Sequence, residues 1–242
     1  MTIILKSGQE CSLDDLKDIP TPPGTRSYQP IPHYALAVKI ANIAQELLTG
    51  FDLDNSVYGT ARDGAQLFGL HTFKKSNNEL GLSIAFSSSL DKSISLKIAT
   101  GGVVTICSNL CLTGKIMKAR KHTTTLLDDL DEMILTSVFR ARSSYTSAIM
   151  DTEVMKGVVV EDDGAYRALG HLFGHKILSP RQMPVALKEW KRPSHQDFDP
   201  RTLWSLYNAV TEALKSSPPQ NIMERHIQLH KHLLPNQARW QA

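Results

Sequence analysis

No run of about 18 apolar residues occurs in this chain, so no membrane-spanning helix is expected. The start, MTIILKSGQECSLDD, lacks a leading basic region and a long apolar stretch, so a secretory signal is not expected. Only three cysteines are present, Cys11, Cys107 and Cys111. That odd, small number suits a reducing cytosol rather than a disulfide framework. Net charge is only +3, which excludes a polyanionic DNA mimic and gives no bulk attraction to nucleic acid. A P-loop, a GxGxxG turn after a strand, a GxSxG elbow and an HExxH pair are all missing. Nucleotide hydrolysis, dinucleotide binding, serine-hydrolase chemistry and zinc-protease chemistry lose their usual signatures. The chain is therefore not expected to be an enzyme, nor to carry a cofactor or a metal.

What is present is an ordinary globular composition, 41% hydrophobic and 21% charged over 242 residues. A short strand is expected over residues 2–6. Pro20, Pro22, Pro23, Pro30 and Pro32 then keep the chain extended up to His33, as an arm that packs on its own domain or reaches a neighbouring subunit. Leu36, Ile40, Ile43 and Leu47 recur at helical spacing, with Pro32 in the first turn and Gly50 at the end. Next comes a hairpin turning at Asp63-Gly64, then a turn at Asn77 and Asn78. Gly81–Ser87 and Ser93–Ala99 read as strands, and Gly101-Gly102 as a turn into Val103–Cys107. The pattern predicts an antiparallel meander of four to five strands.

At Lys118–Thr123 the apolar period changes from two to 3.6. A long helix is predicted from Thr124 to Met150, with Asp128 and Asp129 suiting its first turn. Shorter helices are expected over Gly164–Lys176, Pro200–Ser216 and Met223–Leu234, with Pro180, Pro184 and Pro193 interrupting the chain between them. The fold class is α+β: a core over residues 1–150, where the long helix packs on the meander, and a helical region over 151–242 packed on or beside it.

Charge is uneven along this plan. Asp91–His122 holds six basic residues against one acid, a net +5. Lys92, Lys115, Lys118, Arg120 and Lys121 are candidate phosphate contacts, with Arg140 and Arg142 secondary. The bland alternative is a solvated basic turn that pairs with the acids just downstream. Ser87, Ser88, Ser89 and Ser93 surround a turn that either holds phosphate oxygens or satisfies its own backbone. Tyr28, Tyr34, Tyr58, Phe68, Phe73 and Phe86 stack bases if exposed and fill the core if not, core being the default. Two histidine pairs, His171/His175 and His226/His230, have i, i+4 spacing, and His232 lies close by in sequence. Two histidines alone make an incomplete metal shell. Cys107 and Cys111 lack a second ligand pair and read as buried thiols.

Several of these segments resemble a known family. They are TRSYQPIPH at Thr25–His33, DGAQLFGL at Asp63–Leu70, SSSLDKS at Ser87–Ser93, GGVVTICSNLCLTG at Gly101–Gly114, KARKHT at Lys118–Thr123 and WSLYNAVTEALK at Trp204–Lys215. Together they resemble the phage/plasmid-like protein family, domain of unknown function 932. That family's Asn-Ser-His/Tyr-Asp-Lys-Ser motif here has Ser88 for Asn and Leu90 for the aromatic or His, and its Val-Cys-Asp-Asn is Ile106-Cys107-Ser108-Asn109. The order of helix, meander and long helix is similar to the core of phage single-strand annealing proteins. That resemblance implies an ATP-independent protein in a bacterial host's cytoplasm, acting on single-stranded DNA as a homo-oligomer. The alternative is a counter-defence protein that binds a host defence protein or a small nucleotide.

Overall fold

The computed structural model describes residues 8–74, 80–104, 109–113, 117–120, 126–198, 200–234 and 240. The expected strand over residues 2–6 and the turn at Asn77-Asn78 lie outside them. The fold is α+β, a mainly meandering antiparallel sheet with helices over it and a helical C-terminal part. Four long strands follow one another: β2 (Asp52–Ala61), β3 (Gln66–Lys74), β4 (Leu80–Ser89) and β5 (Leu96–Val104). A short β1 (Gln9–Cys11) pairs antiparallel with β2 on one side of the sheet. On the other side, β6 (Leu110–Cys111) and β7 (Met117–Arg120) both pair with β5, at opposite ends of it.

The β2–β3 hairpin turns where the sequence places it. Arg62, Asp63 and Gly64 take φ of 54°, 53° and 84°, the left-handed conformation that a tight turn requires. Gly101-Gly102, by contrast, is not a turn: β5 runs straight through it. Close approach explains the pair better than turn chemistry. A Cβ on Gly101 would lie 2.4 Å from the Cys111 carbonyl oxygen, and one on Gly102 would lie 3.3 Å from Ala148 Cβ. The glycines let chain pack tightly against β5.

β5 also starts three residues later than its alternation suggests. Ser89 Oγ donates to the Ile94 carbonyl at 2.8 Å and accepts from Ile94 N at 3.1 Å, which holds Leu90–Ser95 as a turn.

Helix α2 (His33–Leu47) and the long α3 (Leu126–Lys156) cover one face of the sheet. Leu36, Ile40, Ile84, Phe86, Ile98, Ile134 and Ala141 share the main core there. α3 runs six residues beyond its predicted end, because no helix breaker occurs before Gly157. The opposite face is covered by α7 (Pro219–Leu233), whose Ile222, Met223 and Ile227 meet Phe68, Leu70, Ala85, Ala99 and Val103.

Three further helices, α4 (Asp162–Gly174), α5 (Met183–Lys191) and α6 (Leu203–Leu214), extend the main core with Leu169, Leu172, Trp190, Leu206 and Val210. A short α1 (Asp15–Asp18) follows β1. Neither α1 nor α5 is anticipated by the sequence reading. Pro184 stands in the first turn of α5, where its missing N–H costs nothing, so it starts a helix rather than interrupting one. Pro219 likewise opens α7. The proline arm packs on its own domain: Tyr28 and Ile31 are buried, and Tyr28 OH donates to the Leu90 carbonyl at 2.7 Å. Among the described residues no helix is long and apolar enough to cross a membrane.

Candidate functional site

The basic positions divide into three groups. Lys115 and Lys121 lie outside the described residues. Lys118 and Arg120 stand on β7, an edge strand, with Arg120 opposite Leu96 at the start of β5. Leu96 follows Lys92 by four residues, so the backbone brings the β4–β5 turn and β7 to the same end of the sheet. Lys92 is exposed and left-handed at φ 64°, its ammonium 4.5 Å from the centre of the Tyr28 ring.

Arg140 and Arg142 lie well along α3, about 20 Å from its first residue at 1.5 Å per residue. Arg140 is exposed. The Arg142 guanidinium donates to the Thr49 carbonyl at 2.6 Å and to Thr49 Oγ1 at 2.8 Å, which ties α3 to the chain just after α2.

The serine turn is held by its own bonds, apart from Ser87 Oγ, a buried hydroxyl with no partner among the described residues. Ser87, Ser88 and Ser89 are buried, and Leu90, also buried, donates its N–H to the Ala65 carbonyl. Asp91 accepts from Ser93 N at 2.9 Å and also from the Ser93 hydroxyl. Burial pushes the Asp91 carboxyl up, but the Ser93 and Arg62 hydrogen bonds hold it below the usual range. This is turn chemistry rather than a phosphate cradle. Of the six aromatics, only Tyr34 is even partly exposed; the other five are core. Asn109 donates to Asn208 Oδ1 at 2.9 Å, fastening the segment before β6 to α6.

A groove of about 830 Å³ runs between β1, β2 and α2. Among the described residues that line it, the charged ones, Glu10 and Asp15, are acidic. It is the wrong sign for a nucleic-acid backbone.

The histidines regroup in space. His226 and His230 share a helix but not a site. His226 is buried, and its Nδ1 donates to the Leu110 carbonyl at 3.1 Å; burial pushes its imidazole down to about 4. His230 Nε2 donates to Asp151 Oδ2 at 3.0 Å, and Cys111 Sγ lies 4.0 Å from its Nδ1. Thiol, imidazole and carboxylate thus stand in the order of a nucleophile, its base and an orienting group. The thiol, however, is fully buried and burial holds it up at about 12, so it stays protonated. The three groups join β6, α7 and α3 as a polar link.

His171, His175 and His232 do converge. Their candidate ligand atoms all lie within 4.8 Å of one another, and His171 Nε2 is 3.0 Å from His232 Nδ1. No metal site is expected from the sequence, because only the i, i+4 pair on α4 is visible there. The third imidazole comes from α7, 61 residues away from His171.

No family model, curated protein or solved structure matches this chain.

Proposed function

We propose that this chain is a single-stranded DNA-binding, annealing-type protein of a phage or plasmid that works without nucleotide hydrolysis. One observation carries the reading: β7, with Lys118 and Arg120, lies beside the start of β5 at the sheet end where the β4–β5 turn carries the exposed Lys92. Lys115 and Lys121 flank that strand in sequence. A strip of cations of this kind holds phosphates and leaves bases available for pairing. With most of the sheet aromatics buried, backbone contacts outweigh stacking, so affinity should fall steeply with salt. Helix, meander and long helix in that order, together with the resemblance to the phage/plasmid-like family, support the same reading.

Self-association fits it too. Leu135, Phe139, Met150 and Val154 are exposed on α3, Phe139 at 71%. At 100° per residue they fall within an arc of about 100°, two apolar pairs on the exposed side of the helix with the exposed Ser143 and Thr146 between them. A second copy of the chain is its natural cover, and a continuous strip of cations across copies follows.

Edge-strand lysines also discourage unwanted strand pairing, and salt dependence separates that role from phosphate binding. The experiment is fluorescence anisotropy of labelled single-stranded oligonucleotides over a salt series. The test variant carries Lys115→Ala, Lys118→Ala, Arg120→Ala and Lys121→Ala together. It should bind more weakly whatever the sequence, with the slope of log K against log salt shallower by about 0.7 per lost contact. Equal binding by parent and variant at every salt concentration would sink the proposal. No DNA binding by either protein would turn the reading to a counter-defence protein that binds a host protein or a small nucleotide.

A further inference from the structure

Three imidazoles from two helices meet at the ends of α4 and α7. His171 lies in the last turn of α4, and His175 is its C-terminal cap, its backbone N–H bonded to the His171 carbonyl at 3.0 Å. The i, i+4 spacing puts both rings on one side of the helix, with centroids 4.3 Å apart. His232, in the last turn of α7, closes the group, its ring centroid 4.5 Å from His175 and 5.1 Å from His171. The buried Trp240 packs against His171, with ring centroids 5.7 Å apart. The polypeptide therefore holds the three rings together from both helices and from the segment after α7.

We propose that His171, His175 and His232 form a binding site for a divalent metal ion of the zinc class, which clamps α4 to α7. Imidazole nitrogen suits zinc, cobalt, nickel and copper, and a set without carboxylate is wrong for magnesium or calcium. The spacing is close to what a tetrahedral ion needs. Zinc–nitrogen bonds of about 2.0–2.1 Å place ligand nitrogens about 3.3 Å apart. His171 Nε2 and His232 Nδ1 stand at 3.0 Å, and His175 has to close by less than about 1.5 Å from the 4.8 Å bound on the group.

Three protein ligands leave the fourth position to water or another exchangeable ligand. A cavity of about 350 Å³ opens beside His175, lined by Glu224, Arg225 and Gln228 of α7, with room for such a ligand.

This site is independent of the DNA-binding reading, and its test uses the full chain without an affinity tag. After chelator treatment and dialysis, Zn²⁺ titration by calorimetry should give one site per chain. Co²⁺ should give the visible bands of four-coordinate cobalt. His175→Ala, at an exposed position, should weaken Zn²⁺ binding at least tenfold while its circular dichroism matches the parent. His171→Gln should do the same, and His195→Ala should bind like the parent. Zn²⁺ should raise the parent's Tm but not that of His175→Ala. Absence of stoichiometric binding at micromolar Zn²⁺, or unchanged binding in both His175→Ala and His171→Gln, would overturn the proposal.

Discussion

His71 Nε2 donates to the Ala37 carbonyl at 3.1 Å, a bond that joins the middle of β3 to α2 inside the core. Its Nδ1 accepts from Ser56 Oγ at 2.8 Å, so both ring nitrogens are used and the ring is neutral. Burial pushes this imidazole down to about 4, with the Ala37 bond acting in the other direction. His226 sits equally low, at about 4, on the other side of the sheet.

Stability should therefore fall with pH in a defined window. Both histidines have folded-state values below their unfolded 6.5, so between pH 6.5 and about 4 the unfolded chain binds the extra protons. Their contribution is complete above pH 6.5 and is lost as pH drops towards 4. The loss is about 3 kcal/mol for each ring. Urea unfolding at pH 7.5, 6, 5 and 4.5 measures it, and a flat profile across that range contradicts the assignment of neutral, buried rings.

Gly69 faces Phe86 across the β3–β4 pair. A Cβ there would lie 2.1 Å from Phe86 Cζ, inside a ring that is fully buried. Gly69→Ala should destabilise the fold by about 1–3 kcal/mol through overpacking. In a Phe86→Ala background the same change should cost much less, since the obstructing ring is gone. Denaturant midpoints of the four proteins in the cycle give the coupling directly.

Arg142 separates a tether from a phosphate contact. Its bonds to Thr49 predict that Arg142→Ala lowers stability by about 1 kcal/mol. Single-strand affinity and its salt slope should not change, because the guanidinium is already engaged by Thr49. A weakened affinity with a shallower slope would instead put Arg142 in the DNA path.

Phe139 tests the exposed apolar positions of α3. Phe139→Glu puts a charge at the most exposed of the four and should shift the protein to smaller species in size-exclusion chromatography with light scattering. Folding should be nearly unaffected, since the side chain is 71% exposed. A parent protein that is monomeric at all concentrations, with and without DNA, removes the self-association part of the proposal.

Much of the fold could be read locally. The stripe Leu36, Ile40, Ile43 and Leu47 marks α2, and Asp63-Gly64 marks the β2–β3 hairpin, because helical period and turn preference act over a few residues. The same local rules failed at Gly101-Gly102 and Pro184. A glycine pair can serve a turn or a close approach, and a proline can stop a helix or start one. Which role applies depends on what lies across the sheet or further along the chain.

The sequence by itself determined the α+β class, the meander, the long helix and the basic stretch over Asp91–His122, since each is a property of neighbouring residues. Tertiary structure alone decided which side chains meet. It tied Arg142 to Thr49, buried five of the six sheet aromatics and gave His226 a backbone partner. It also joined His171 and His175 of α4 to His232 of α7. The physical reason is distance along the chain. Burial of apolar faces brings helices together across tens of residues, and the polar groups carried on those faces converge only once that packing is complete.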